Sequence, residues 1–187
     1  LQLGSAGVRP TAQWGAKATL DATSAPVGSG NLGAGTGATV GKLLGPERAT
    51  KGGLGNALLE LDDGVLLGAL AAVNAVGEVF DSVTGQTIAG VRATAPGSYE
   101  SAVDLALGKL ESGALIGTNT TLGVIATNVQ LSKVQLKRVA EMAHDGLARA
   151  IRPVHTLFDG DTIFAVSVTN SPKRPQEVTP QLINKLG

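Results

Sequence analysis

Four segments of the sequence set polar side chains directly against apolar runs. Lys42 ends a glycine-rich stretch that begins at Gly28, and Asn74 closes the run Val65–Val73. GTNTTLGVIATN carries hydroxyls and carboxamides around an apolar run, and FDGDT holds Asp159 and Asp161. A threonine hydroxyl attacks a carbonyl once a base takes its proton. A lysine cation or a carboxamide N–H steadies the charge that then develops, and carboxylates hold the reacting groups in place. Taken singly, the same residues are ordinary furniture of turns and strand ends. Asp159 can simply build the Asp-Gly turn, Asn74 can cap a strand end, and Lys42 can be a solvated loop lysine.

Other chemistries fit less well. Cysteine is absent, which removes disulfides, thiolate zinc sites and a cysteine nucleophile. A metal reading of His144, His155, Asp159 and Asp161 offers only two nitrogen ligands and no sulfur, few for zinc. Their plainer readings are a residue on the polar face of a helix and a hydrogen-bonded loop residue. Gly28-Ser-Gly30-Asn-Leu-Gly33 spells a dinucleotide fingerprint, but Pro26 interrupts the strand that should precede it and no βαβ unit surrounds it. Gly41-Lys42 looks like the end of a phosphate loop, yet Leu43 stands where a metal-binding hydroxyl is required. No metal and no cofactor is therefore expected.

The elements that must position these residues follow from the pattern of the chain. Its 187 residues, 43% of them apolar, suit one domain with a buried core. Fifteen basic and fifteen acidic residues leave no net charge, so nothing marks a nucleic-acid or anionic-membrane partner. Aromatics at 3% give no platform for stacking bases. The longest apolar stretch, Val65–Val73, falls short of the roughly 20 residues that span a bilayer. The opening LQLGSAG reads as a mid-protein segment, so a targeting signal upstream stays open.

Buried-strand runs are expected at Val65–Val73, Thr121–Val129 and Thr162–Val168, with Glu78–Phe80 extending or pairing with the first. Helices are expected at Pro10–Thr23, Tyr99–Leu110 and Ser132–Ile151, with a further one at Gln181–Gly187. The third is the clearest, because Ser132 and Gln135 spell a capping box and Leu136, Val139, Ala143 and Leu147 keep helical spacing. Residues 28–42 read as a loop, Lys51–Gly55 as a glycine-rich turn and Asp81–Gln86 as a turn. The tail SPKRPQEVTP reads as exposed. Strands alternating with helices predict a layered α/β fold with Thr121–Val129 and Thr162–Val168 adjacent in one sheet.

In combination and order, these segments resemble the DmpA-like family of L-aminopeptidase/D-esterases and β-aminopeptidases, which includes the nylon-oligomer hydrolases. The stretches that carry the resemblance are GNLGAGTGATVGK, KGGLG, AAVNAVGEV, GTNTTLGVIATN and MAHDGLARAIRPVHTLFDGDTIFAV, together most of the chain. Asn119 before Thr120 is closer to the nylon-hydrolase branch than to the Gly-Ser branch. Family members are usually much longer; their GGSAFGL-like N-terminal portion and most of their C-terminal helix have no counterpart here.

The resemblance implies an αββα-type sandwich of the self-cleaving N-terminal-nucleophile class. It is expected here as a partial chain, one hydrolase domain over residues 1–187. It implies self-cleavage between Asn119 and Thr120, which makes Thr120 the nucleophile of an amide hydrolase; a register shifted by one would make it Thr121. Lys42 and Asn74 match positions near the nucleophile, and Asp159 and Asp161 match the family's acidic pair. A freed Thr120 amine, with a pKa near ~7.7–8.0, would serve as base at neutral pH. Expected substrates are small peptides, amino-acid amides or ω-amino-acid oligomers, in a cytoplasmic homo-oligomer such as a tetramer, with the two fragments staying together. A periplasmic location stays open. Acyl transfer of the ornithine-acetyltransferase kind and a non-catalytic homologue are the competing readings.

Overall fold

The computed structural model describes residues 7–61, 64–108, 119–168 and 178–187. In chain order the elements are α1 (Ala12–Leu20), β1 (Thr39–Val40), β2 (Thr50–Lys51), β3 (Gly53–Glu60), β4 (Leu66–Val73) and β5 (Glu78–Phe80). There follow β6 (Thr87–Ala89), β7 (Val91–Arg92), β8 (Tyr99–Glu100), α2 (Ala102–Leu107) and β9 (Leu122–Thr127). The chain continues through α3 (Lys133–Ala150), β10 (Ile151–Arg152), β11 (Thr162–Ser167) and α4 (Pro180–Leu186).

The main sheet has the order β11-β9-β4-β3. Strands β9 and β11 run parallel, pairing Leu122 with Thr162 through Thr127 with Ser167. They are joined through α3, as parallel neighbours require a crossover. Strand β4 is antiparallel to both β9 and β3. One face of the sheet carries Leu67, Ile125 and Ala165 onto α3 and α4, packing against Val129, Leu131, Val139, Ile183 and Leu186. The period-2 alternation of a strand sends Val124, Phe164 and Val166 to the opposite face, where they stay exposed together with Leu58 and Leu122.

A second, three-stranded sheet, β10-β5-β6, stands beside a smaller core of Val40, Ala75 and Ile151. The expectation that Glu78–Phe80 extends or pairs with Val65–Val73 is therefore corrected. Asn74 and the residues after it turn the chain away, and β5 pairs with β10 and β6 instead. The other strand and helix expectations hold with adjusted ends. Ser132 and Gln135 form the reciprocal cap of α3. Helix α1 starts two residues late, because the Thr11 hydroxyl takes the cap and leaves Pro10 outside. The helix expected from Tyr99 begins only at Ala102: Tyr99 and Glu100 are drawn into a ladder with β7, and Ser101 caps what remains. Leu110 and most of the Pro- and charge-rich tail lie outside the described residues. Lys51–Gly55 is not a turn: Gly53–Gly55 opens an edge strand eight residues long.

Candidate functional site

The segment 119–121 runs into β9 and is clamped on both sides. The Thr120 N–H donates to the Asn74 carbonyl, just past the end of β4, at 2.8 Å. On the other side Asn119 forms a parallel bridge with Asp159. The Thr121 carbonyl accepts from the Thr162 N–H at 3.0 Å. An apolar sheet thus carries a polar tripeptide at the start of its interior strand β9, and the clamps fall on the backbone either side of one bond.

That bond is Asn119–Thr120. The Asn119 carbonyl oxygen accepts from the Gly160 N–H at 2.9 Å and from the Thr120 hydroxyl at 2.6 Å. A β-carbon at residue 160 would stand 2.8 Å from the Thr120 hydroxyl oxygen, so only glycine lets the amide and the hydroxyl share that carbonyl. Neighbouring Thr121 differs: it is fully buried, and its hydroxyl has no hydrogen-bond partner among the described residues.

Lys42 is only 3% exposed and donates to the Asn74 side-chain oxygen at 2.7 Å. The Thr39 N–H donates to the same oxygen at 3.1 Å, so two donors fix that carboxamide's orientation. Burial pulls the Lys42 amine down from 10.5 to about 8, against the opposing pull of the Asp159 charge. Gly41 makes this approach possible. Its φ is +67°, and a β-carbon there would lie 2.1 Å from the Gly90 backbone. The amides of Gly41 and Lys42 donate to the carbonyls of Gly77 and Val76, which fixes the loop beside the chain that leaves β4. Lys51 ties the preceding turn, its amine donating to the carbonyls of Gly35, Ala38 and Gly52.

The acidic pair divides its work. Asp159 accepts from the Val76 N–H through one oxygen and from the Thr156 amide and hydroxyl through the other. Asp161 accepts from the Thr121 N–H at 2.8 Å, and its second oxygen lies 2.9 Å from His155 Nδ1. The structure therefore brings Lys42, Asn74, Asn119, Thr120, Asp159 and Asp161 into one neighbourhood. The carboxylates reach the backbone around Thr120 rather than its hydroxyl. Sequence reading missed Gly160, because a backbone donor leaves no chemical mark beyond the glycine between two aspartates. It also missed Thr156 as the anchor of Asp159, and Asp161 as the partner of the loop residue His155. Among the described residues no cluster of side chains is arranged to hold a metal ion.

A glycine loop, a strand end and a Gly-Asp turn gathered around one peptide bond at the start of a central strand define a class of fold. The solved L-aminopeptidase D-Ala-esterase/amidase of Ochrobactrum anthropi, described as a variant of the Ntn hydrolase fold, superimposes with a TM-score of 0.57. It is 22% identical, with 91% of this chain and 43% of that one covered, and this likeness assigns the fold. The particular family follows from the sequence: the model of peptidase family S58 matches residues 3–187, and the chain belongs to that family. It is 40% identical to an uncharacterised aminopeptidase of Mycobacterium leprae over 100% of its own length and 54% of the relative's. It is 33% identical to the 6-aminohexanoate-oligomer endohydrolase of Kocuria sp. over 87% of its length and 46% of the relative's. The chain thus spans about half the length of these curated relatives.

Proposed function

We propose that the protein containing this chain is a self-processing amide hydrolase in which Thr120 first breaks the Asn119–Thr120 bond and then serves as the N-terminal nucleophile. The observation that carries this reading is the Asn119 carbonyl, held between the Gly160 amide and the Thr120 hydroxyl. In the first step the hydroxyl oxygen bonds to the Asn119 carbonyl carbon while Gly160 N–H steadies the charge on the oxygen. The carbon–nitrogen bond breaks, the nitrogen takes the hydroxyl proton, and an ester joins the pieces. Water then hydrolyses the ester, leaving the Asn119 carboxylate and Thr120 with both hydroxyl and amine free. The buried, partnerless Thr121 hydroxyl favours Thr120 over the neighbouring register.

In turnover the new amine takes the proton of its own hydroxyl. Lys42 supplies positive charge, Asn74 and Gly160 supply donors to the oxyanion, and Asp159 and Asp161 keep the surrounding backbone in register. The names of the relatives point to small peptides, amino-acid amides or ω-amino-acid oligomers as substrates. A homo-oligomer in the cytoplasm is the assembly and place we propose; no helix among the described residues is long and apolar enough to cross a membrane.

N-terminal sequencing of the small fragment tests the reading, and it should begin at Thr120. Thr120→Ala should stay intact and inactive, and Thr120→Ser should retain cleavage. A fragment starting elsewhere, or turnover by uncleaved Thr120→Ala, would remove the mechanism. Product formed only with an added amine acceptor would assign acyl transfer instead.

A further inference from the structure

The two histidines do not stand apart, as their separate readings suggest. His144, on α3, and His155, in the loop after β10, meet edge to face with ring centroids 4.8 Å apart. His144 Nδ1 lies 3.3 Å from His155 Nε2, and His155 Nδ1 lies 2.9 Å from Asp161 Oδ2. The Asp161 side chain is 3% exposed, and its other oxygen holds the Thr121 N–H. A chain of four groups therefore runs from a helix to the peptide unit just beyond Thr120. One of its hydrogens can be assigned. An ionised carboxylate only accepts, so the His155 Nδ1 facing it carries a hydrogen, while the direction of the His144–His155 contact follows the tautomer.

The backbone of His155 adds an independent observation. Its φ is +54°, and it is the one non-glycine residue with positive φ among those described. Glycine adopts that conformation freely, and histidine, with asparagine and aspartate, is among the few other residues that visit it. This uncommon backbone holds a ring whose nitrogen meets the buried Asp161 carboxylate, and uncommon backbone conformations cluster at functional sites.

We propose that His155 is a positioning residue, oriented by His144, whose imidazole fixes the buried Asp161 carboxylate so that it holds the Thr121 amide in place. The backbone on the downstream side of Asn119–Thr120 is set by that amide. The consequence for cleavage rests on the reading of Thr120 given above, whereas the hydrogen-bond chain does not.

The test compares His155→Gly, which suits the backbone but has no donor, with His155→Asn. Asparagine tolerates positive φ and carries an N–H close to where Nδ1 stands. In full-length Thr120→Ala protein, hydrogen exchange at the Thr121 amide should quicken about tenfold or more with His155→Gly and return towards the parent with His155→Asn. The Val139 amide, deep in the core, should keep its rate in both. With Thr120 present, His155→Gly should slow cleavage at Asn119–Thr120 by about tenfold to a hundredfold, and His155→Asn should recover most of it. Nitrogen NMR of the parent protein provides a readout that needs no variant: His155 should carry a hydrogen on Nδ1. Equal Thr121 protection in His155→Gly and the parent would reduce His155 to a turn residue and overturn the proposal, as would a hydrogen on His155 Nε2 alone. Absence of cleavage in the Thr120 protein would instead sink the proposed function and leave the exchange result to decide the role of His155.

Discussion

Lys42 carries a cost of burial that its partners Asn74 and Asp159 offset only in part. Its amine has an ordinary value of 10.5 in the unfolded chain and about 8 in the folded one. Below pH 8 it is charged in both states, and folding bears the whole penalty of burying the cation. Between about 8 and 10.5 the unfolded chain binds more protons, so this contribution rises with pH; above 10.5 the penalty is gone. Lys42→Met should therefore stabilise the protein at pH 7 by roughly 1–3 kcal/mol, with the gain shrinking as pH climbs through that window. Denaturant melts at pH 7 and pH 10 read this directly, and a less stable variant at pH 7 would contradict it. The same substitution should strip activity. Turnover should rise as the Thr120 amine loses its proton and fall above about pH 8 as Lys42 loses its own.

Gly160 is the opposite case, a residue whose contribution is space and an amide. Gly160→Ala places a methyl 2.8 Å from the Thr120 hydroxyl. It should slow self-cleavage by about a hundredfold through displacement of the nucleophile. The backbone change alone should leave the melting temperature nearly unchanged. Cleavage at the parental rate would show that the hydroxyl has another path to the carbonyl. Lys42, Asn74, Thr120 and the two aspartates stood out in the sequence as polar residues beside apolar runs, but only the resemblance joined them into one candidate site. Amide donors are shared by almost every residue, so Gly160 was not legible.

At the scale of elements, what could be read depended on how local the signal was. Helix α3 carries its own start in Ser132 and Gln135 and its own face in Leu136, Val139 and Leu147, so sequence spacing locates it. Strand β3 has no such signature: GLGNALLE is poor in β-branched residues, and it is a strand because β4 lies beside it over eight paired residues. The misplaced start of α2 has the same origin, since only the pairing with β7 takes Tyr99 and Glu100 out of the helix. The core side of α3 gives a direct check. Val139 is 1% exposed, whereas Val134 on the same helix is 78% exposed. Val139→Ala should cost about 2 kcal/mol and Val134→Ala under about 0.5 kcal/mol, measured by denaturant unfolding. Similar losses at both positions would mean that α3 presents another face to the sheet.

Across the whole molecule, the Asn119–Thr120 bond proposed for cleavage divides the candidate site. Lys42 and Asn74 lie upstream of it; Thr120, Asp159, Asp161 and the two histidines lie downstream. The core is divided the same way, with Val65 on one side and Val129, Val139, Ile183 and Leu186 on the other. Yet β9, which begins two residues after that bond, is an interior strand. It pairs with β4 from the upstream piece over six residues and with β11 from its own piece over six more. Freeing it would expose a ladder of backbone amides and carbonyls along with the apolar face packed on α3. Cleavage at Asn119–Thr120 would remove one covalent bond and none of these contacts. The two pieces of the processed protein should accordingly elute as one species in native gel filtration and separate only in denaturant. Processing should leave the melting temperature within a few degrees of the intact Thr120→Ala chain. Native separation of the pieces, with the upstream piece retaining Lys42 and Asn74 but no nucleophile, would mean that the sheet does not hold the two halves of the site together.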